Sequence, residues 1–180
     1  PGFTLEAMQG SARLHIVQPD AAELSPGEFA YNVCSAAQDP EIKTVLIDSL
    51  NGYQAAMPQE NSLILHMHEL LQFLNRQGVS TFLTVGQQGM MGDMKSPVDV
   101  TYLADTVILL RYFEALGRVR RAISIVKKRT GFHEDTIREF MINHKGITLG
   151  EPLTAFQGVL RGVPSLVGDD DAGLLDVKQR

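Results

Sequence analysis

The hydrophobic pattern changes period several times along the chain, and each change predicts an element. Phe29, Val33 and Ala37 recur every fourth residue, the spacing of one helix face. Ser25-Pro26-Gly27-Glu28 supplies a start for that helix, with Ser25 as N-cap, Pro26 at the first helical position and Glu28 as the capping-box partner. Pro40 stops it. Within Lys43 to Asn51, KTVLIDSLN, the residues Val45, Leu46 and Ile47 run without polar interruption into Asp48. A short continuous apolar run reads as a strand buried on both faces, as in a parallel sheet. Ser49 to Met57 reads as a polar loop. Pro58 to Gln77 carries the strongest helical period, with Leu63, His66, Met67, Leu70, Leu71 and Leu74 on one stripe and Gly78 as the stop. Val79 to Val85, VSTFLTV, is a second buried strand.

Upstream, residues 3–9 read as a helix ended by Gly10, and Arg13 to Val17 as a strand ended by Pro19. The order strand, helix, strand, helix, strand predicts a parallel α/β sheet with right-handed crossovers. Residues 86–97, GQQGMMGDMKSP, have no period and read as a mobile loop or one ordered by a ligand or partner. Val98 to Leu103 reads as a short helix. Ala104 to Tyr112, a turn at Glu114 to Gly117, and Arg118 to Lys128 predict an antiparallel hairpin. Thr136 to Ile142 and Lys145 to Leu149 predict another around Asn143 to Gly146. These hairpins would extend one edge of the parallel sheet. From Gly158 the chain becomes loop-like, and Asp169-Asp170-Asp171 and the final VKQR read as a solvated tail.

Composition narrows the class. The 180 residues suit one domain with a sizeable core, and 44% hydrophobic and 21% charged residues are globular values. A net charge of −5 argues against a nucleic-acid surface. The single cysteine, Cys34, excludes an internal disulfide and reads as a small buried hydrophobe. No apolar run approaches a membrane span and no signal-peptide pattern is present, so a soluble cytoplasmic protein is expected.

Three places could carry chemistry. Asp48 sits at the carboxyl end of a buried strand, where open α/β sheets hold their ligands. Asp48 followed by Ser49 has the form of a Walker B element, whose carboxylate holds a magnesium ion beside nucleotide phosphates. The same pattern also fits an acid that merely ends a strand. Thr84, Gln87 and Gln88 would project from the same sheet edge and could sense a γ-phosphate or position water, or simply begin a polar loop. Strand alternation puts Lys127 and Arg129 on one face and Lys128 on the other. Two cations on one face beside a turn suit a polyphosphate, and equally suit a solvated edge strand. His133 shares no metal-ligand spacing with the other histidines. No GxxxxGK[ST] occurs anywhere, so a phosphate cradle is missing from the sequence.

The ordered set VLIDSL, long helix, STFLTV, LADTVILLRYFE-x-x-G, RRAISIVKKR-x-x-x-H and IREFMI resembles the RecA-superfamily ATPase module of the KaiC family. The likeness is nearest to the second of the two tandem domains in that family. It spans residues from about 3 to 165, with 105–142 the specific block. The resemblance implies a RecA-like core of mostly parallel sheet flanked by helices and extended by antiparallel hairpins, over residues 1–165, with 166–180 as the tail. It implies Mg2+ and ATP held between subunits of a homo-oligomeric ring, with signalling proteins as further partners. Asp48 then matches the Walker B acid and metal ligand, Ser49, Thr84, Gln87 and His133 line the nucleotide, and Lys127 and Arg129 reach a neighbour's γ-phosphate. Where the family places a serine–threonine phosphoacceptor pair, this chain has Thr101 and Tyr102. Thr101 retains a hydroxyl suited to that role, whereas the Tyr102 hydroxyl lies further from the backbone. The family's Walker A and catalytic glutamates match nothing in these residues, so the chain by itself is expected to bind no ATP and to self-associate. The alternative is a non-catalytic oligomerisation or signalling module that binds protein partners and no nucleotide.

Overall fold

The computed structural model describes residues 14–20, 24–56, 60–86, 101–161 and 164–166. The helix expected at 3–9, the glycine- and methionine-rich stretch with Gln87 and Gln88, and the tail beyond 166 lie outside the described residues. Those described fall into two compact units, 14–86 with 101–103, and 104–166.

In the first unit, α1 (Pro26–Ala36) begins with the full capping box. The Glu28 N–H donates to Ser25 Oγ at 3.2 Å, and the Ser25 N–H and hydroxyl donate to Glu28 Oε2 at 3.0 and 2.7 Å. β1 (Thr44–Ile47) follows. The predicted polar loop after it is instead largely α2 (Leu50–Ala56). Its two anchors, Leu50 and Tyr53, lie one turn apart and are both buried, and burial turns a weak local helix signal into a helix. α3 (Glu60–Arg76) and β2 (Ser80–Leu83) complete the unit. β1 and β2 pair in parallel, with Leu46 opposite Phe82 and Ile47 opposite Leu83.

The helices bury one face of this pair. Ile47, Leu50, Tyr53, Leu63, Met67, Leu70, Leu74 and Val79 form the core, with Phe29, Val33, Cys34 and Leu71 packed against it. Cys34 is half-buried rather than buried, and burial pushes its thiol up from the ordinary value. Leu46 and Phe82, on the other face, are 66% and 58% exposed. The strand expected at 13–17 does not form; 14–17 have no regular structure, and Ile16 and Val17 are exposed. An alternating pattern makes a strand only where a neighbour accepts its ladder.

The second unit is built on a four-stranded antiparallel sheet in the order β3 (Thr106–Ala115), β4 (Arg118–Lys128), β5 (Arg138–Asn143) and β6 (Gly146–Pro152). These strands form a sheet of their own. β3 and β4 turn through Leu116 and Gly117, whose φ values of 55° and 68° place both in the left-handed backbone region, which lets a two-residue turn match the right-handed twist of the strands. One sheet face buries Phe113, Ala115 and Ala122 with Val159, against Ile137, Leu153 and Phe156. The opposite face exposes Ile108, Leu110 and Tyr112. Arg121 stacks its guanidinium 5.7 Å from the Tyr112 ring centre. A short pair, β7 (Phe156–Gln157) with β8 (Ser165–Leu166), closes the described chain.

Candidate functional site

The carboxyl ends of β1 and β2 are knitted together beyond the strands. The Thr84 N–H donates to Ile47 O at 3.1 Å, and the Leu50 N–H donates to Thr84 O at 2.9 Å. The Thr84 hydroxyl donates to Asp48 Oδ1 at 2.5 Å. Parallel pairing in register therefore brings the two predicted polar residues into direct contact. Asp48 is exposed, and Ser49, joined to it by a cis peptide bond, is half-buried. Thr84 takes part of one oxygen and leaves the rest of an accessible carboxylate at the sheet edge.

Next to this pair Asn51 closes the strand ends. Its Nδ2 donates to Gly86 O at 2.9 Å and its Oδ1 accepts from the Gly86 N–H at 2.7 Å. The side-chain amide thus replaces a neighbouring strand for one residue. The fit is close: a Cβ on Gly86 would stand 3.3 Å from Asn51 Oδ1. Asn51 escapes sequence reasoning because its partner lies 35 residues away, in a stretch with no local cue.

In the second unit, the basic residues gather at the end of β4. Register shows how they are aimed. Leu109 faces Ser124 and Ile108 faces Ile125, but Val107 faces Lys127, so Val126 is an extra residue on β4. This bulge breaks strict alternation. Lys127 shares a face with Val107, Leu109 and Ser124, opposite to the face of Ile123 and Ile125. The Arg129 N–H donates to Asp105 O at 2.7 Å, extending the ladder past the bulge. Arg129 Nη1 also stands 3.0 Å from Asp105 Oδ1. Lys127 and Arg129 therefore lie on one face. Lys128 Nζ donates to Phe132 O at 3.2 Å and steadies the turn before His133, which is exposed. In the first unit, Thr101 is exposed, and 101–103, the described part of the expected helix, form a turn instead. Asp105, like Asn51, carries no signal in the sequence; its role appears only with its partner.

Among the described residues no three His, Cys, Asp or Glu side chains could hold a metal ion together. A single carboxylate with a hydroxyl neighbour still fits Mg2+, which keeps several waters and takes one or two carboxylates plus phosphate oxygens. No described helix is long and apolar enough to cross a membrane.

Comparison with known proteins adds the ancestry. The sequence model of the KaiC ATPase family matches residues 3–154. The circadian clock protein KaiC3 of Synechocystis sp. is 32% identical over 114 residues, covering 61% of this chain and 23% of that protein. The circadian clock oscillator proteins KaiC of Thermostichus vulcanus and Synechococcus elongatus are each 26% identical over 173 residues, 94% of this chain. The chain spans about a third of the length of those two relatives, 33% in each case. The family match over most of the chain and the order of its elements agree: the chain belongs to the KaiC family of ATPases.

Proposed function

We propose that these residues form the carboxy-terminal part of an ATPase domain that binds and hydrolyses Mg-ATP at the subunit interfaces of a homo-oligomeric ring. The observation that carries this is the Asp48–Thr84 contact at the adjoining carboxyl ends of two parallel strands. Open α/β sheets bind ligands at that edge. Asp48 would hold Mg2+, which when bound neutralises phosphate charge, and Ser49 would line the nucleotide beside it. The Thr84 hydroxyl orients the carboxylate and fixes which of its oxygens faces outward. Lys127 and Arg129, on one face by virtue of the bulge, would meet the γ-phosphate of a nucleotide held by a neighbouring copy, with His133 beside them. Cations supplied in trans make hydrolysis depend on assembly. Gln87, which follows β2 in the sequence, would sense the γ-phosphate of the nucleotide held at Asp48. Thr101 is the candidate phosphoacceptor should the protein phosphorylate itself.

No GxxxxGK[ST] motif occurs in these residues, so on this reading the phosphate cradle would be supplied by another segment. Self-association is supported by the uncovered Leu46 and Phe82 and by strands β1 and β2, each of which has a single neighbour among the described residues. Regulation of the circadian type is suggested by the relatives' names, and signalling proteins are proposed as further partners.

ATP turnover by the full-length protein tests the roles. Asp48→Asn and Arg129→Ala should each lower kcat, the latter by up to on the order of 10³-fold. Unchanged turnover in both variants would sink the assignment. The chain of 180 residues by itself should show no micromolar ATP affinity by calorimetry; such affinity would contradict a cradle supplied from outside it.

A further inference from the structure

We infer that Asp105 is the positioning residue for Arg129, and that with the Val126 bulge it fixes the direction in which the guanidinium is presented. The inference rests on the proposed role of Arg129 toward a phosphate.

Two contacts, one backbone and one side-chain, join the same pair of residues. The Arg129 N–H reaches Asp105 O at 2.7 Å, and Arg129 Nη1 reaches Asp105 Oδ1 at 3.0 Å. The first sets the backbone just beyond β4, and the second selects a rotamer of a long side chain that would otherwise sample many. The bulge matters because a residue pushed through it changes face. By strict alternation from Ile123 and Ile125, Lys127 and Arg129 would fall on the face that exposes Ile108 and Leu110. The extra residue at Val126 turns them to the face of Asp105 and Val107. Bulges that re-aim a side chain recur beside active sites.

Stability does not account for the pair. Its side chains are 56% and 66% exposed, and exposed ion pairs contribute little to folding. A guanidinium has five N–H donors, so one carboxylate contact is compatible with simultaneous contacts to an anion. Holding Arg129 before the phosphate arrives lowers the entropy lost on reaching the transition state.

The test uses the full-length protein and four variants: Asp105→Asn, Asp105→Glu, Arg129→Ala and the double variant Asp105→Asn/Arg129→Ala. Asp105→Asn should lower kcat on the order of 10-fold, with KM within about twofold and with melting temperature and assembly size unchanged. Asp105→Glu should recover part of the loss. The double variant should match Arg129→Ala alone, because a positioning residue has no effect once its object is gone. Side-chain NMR gives a readout apart from catalysis: the Arg129 Nε–H signal should shift and broaden in Asp105→Asn. If Arg129→Ala lowers turnover and Asp105→Asn does not, the inference fails and the proposed function stands. The inference also fails if Asp105→Asn slows the Arg129→Ala protein by the same factor as it slows the native one. If Arg129→Ala leaves turnover unchanged, the role of Arg129 falls and takes this inference with it.

Discussion

The helical unit and the antiparallel unit solve the same problem with different materials. In the first, the buried core is apolar apart from the Tyr53 hydroxyl, which is paired because it donates to Pro26 O at 3.2 Å, and it comes largely from α3, whose Leu63, Met67, Leu70 and Leu74 all face inward. In the second, the sheet shares its buried face with polar atoms: Ser124 Oγ and Arg111 Nε and Nη1 are buried without a hydrogen-bond partner. An apolar helix stripe gains free energy from area alone, whereas a buried polar atom costs it unless paired. The helical unit is thus built for packing, and the antiparallel unit gives up some packing to carry a row of cations, Arg111, Arg118, Arg120, Arg121, Lys127 and Lys128, along one hairpin. Both units also keep their candidate chemistry at the ends of strands, where the ladder stops and side chains reach solvent.

Substitutions in each unit break or sharpen that contrast. The largest effect is expected from Phe113→Ala, which removes the largest fully buried side chain of the antiparallel core; urea unfolding should show a loss of about 3–5 kcal/mol. Leu74→Ala should cost about 2–5 kcal/mol in the helical unit, seen as lost hydrogen-exchange protection within α3. Equal tolerance of both truncations would remove the idea of two separately built cores. Asn51→Ala deletes two hydrogen bonds to Gly86 and should cost about 1–2 kcal/mol, with the Gly86 amide exchanging faster in the variant. Ser124→Ala should be neutral or stabilising by about 1 kcal/mol, since it removes an unpaired buried hydroxyl; clear destabilisation in the same urea assay would mean that Ser124 has a partner.

The smallest effect concerns acid. The Ser25 hydroxyl, and then its backbone N–H, hold the exposed Glu28 carboxyl below the ordinary carboxylate value. In the window between the ordinary and depressed values the unfolded chain binds more protons than the folded one. The stabilisation is therefore full above the ordinary value and is lost as pH falls through the depressed one. Ser25→Ala should flatten that acid slope of stability and cost the helix about 1 kcal/mol at neutral pH. An unaltered slope would show that the hydroxyl does not hold the carboxylate in solution.

How much was legible follows from the range of each interaction. The α1 start was readable because Ser25, Pro26 and Glu28 act within one turn. The α3 stripe was readable because burial imposes a period on the residues themselves; the β1 and β2 runs were readable as strands from their continuous apolar residues, but only one face of each is buried, not both as expected, since Leu46 and Phe82 are exposed. The Leu116-Gly117 hairpin was readable because a two-residue turn connects strands that are neighbours in sequence. The helix at Leu50–Ala56 was not, because two apolar anchors in seven residues do not make a period.

The sequence by itself determined the order of α1, β1, α3, β2 and the two hairpins, the apolar stripe of α3 and the family resemblance, and it marked Asp48, Thr84, Lys127 and Arg129 as residues to follow. Local sterics and periodic burial suffice for that. Only the tertiary structure decided that the Thr84 hydroxyl meets Asp48, that Asn51 closes on Gly86, and that a bulge at Val126 turns Lys127 and Arg129 toward Asp105. Each of these depends on register, between β1 and β2 across two intervening helices for the first two and at the far end of the β3–β4 hairpin for the third. Register is a property of the pair, and one extra residue on either strand moves the following side chains to the other face.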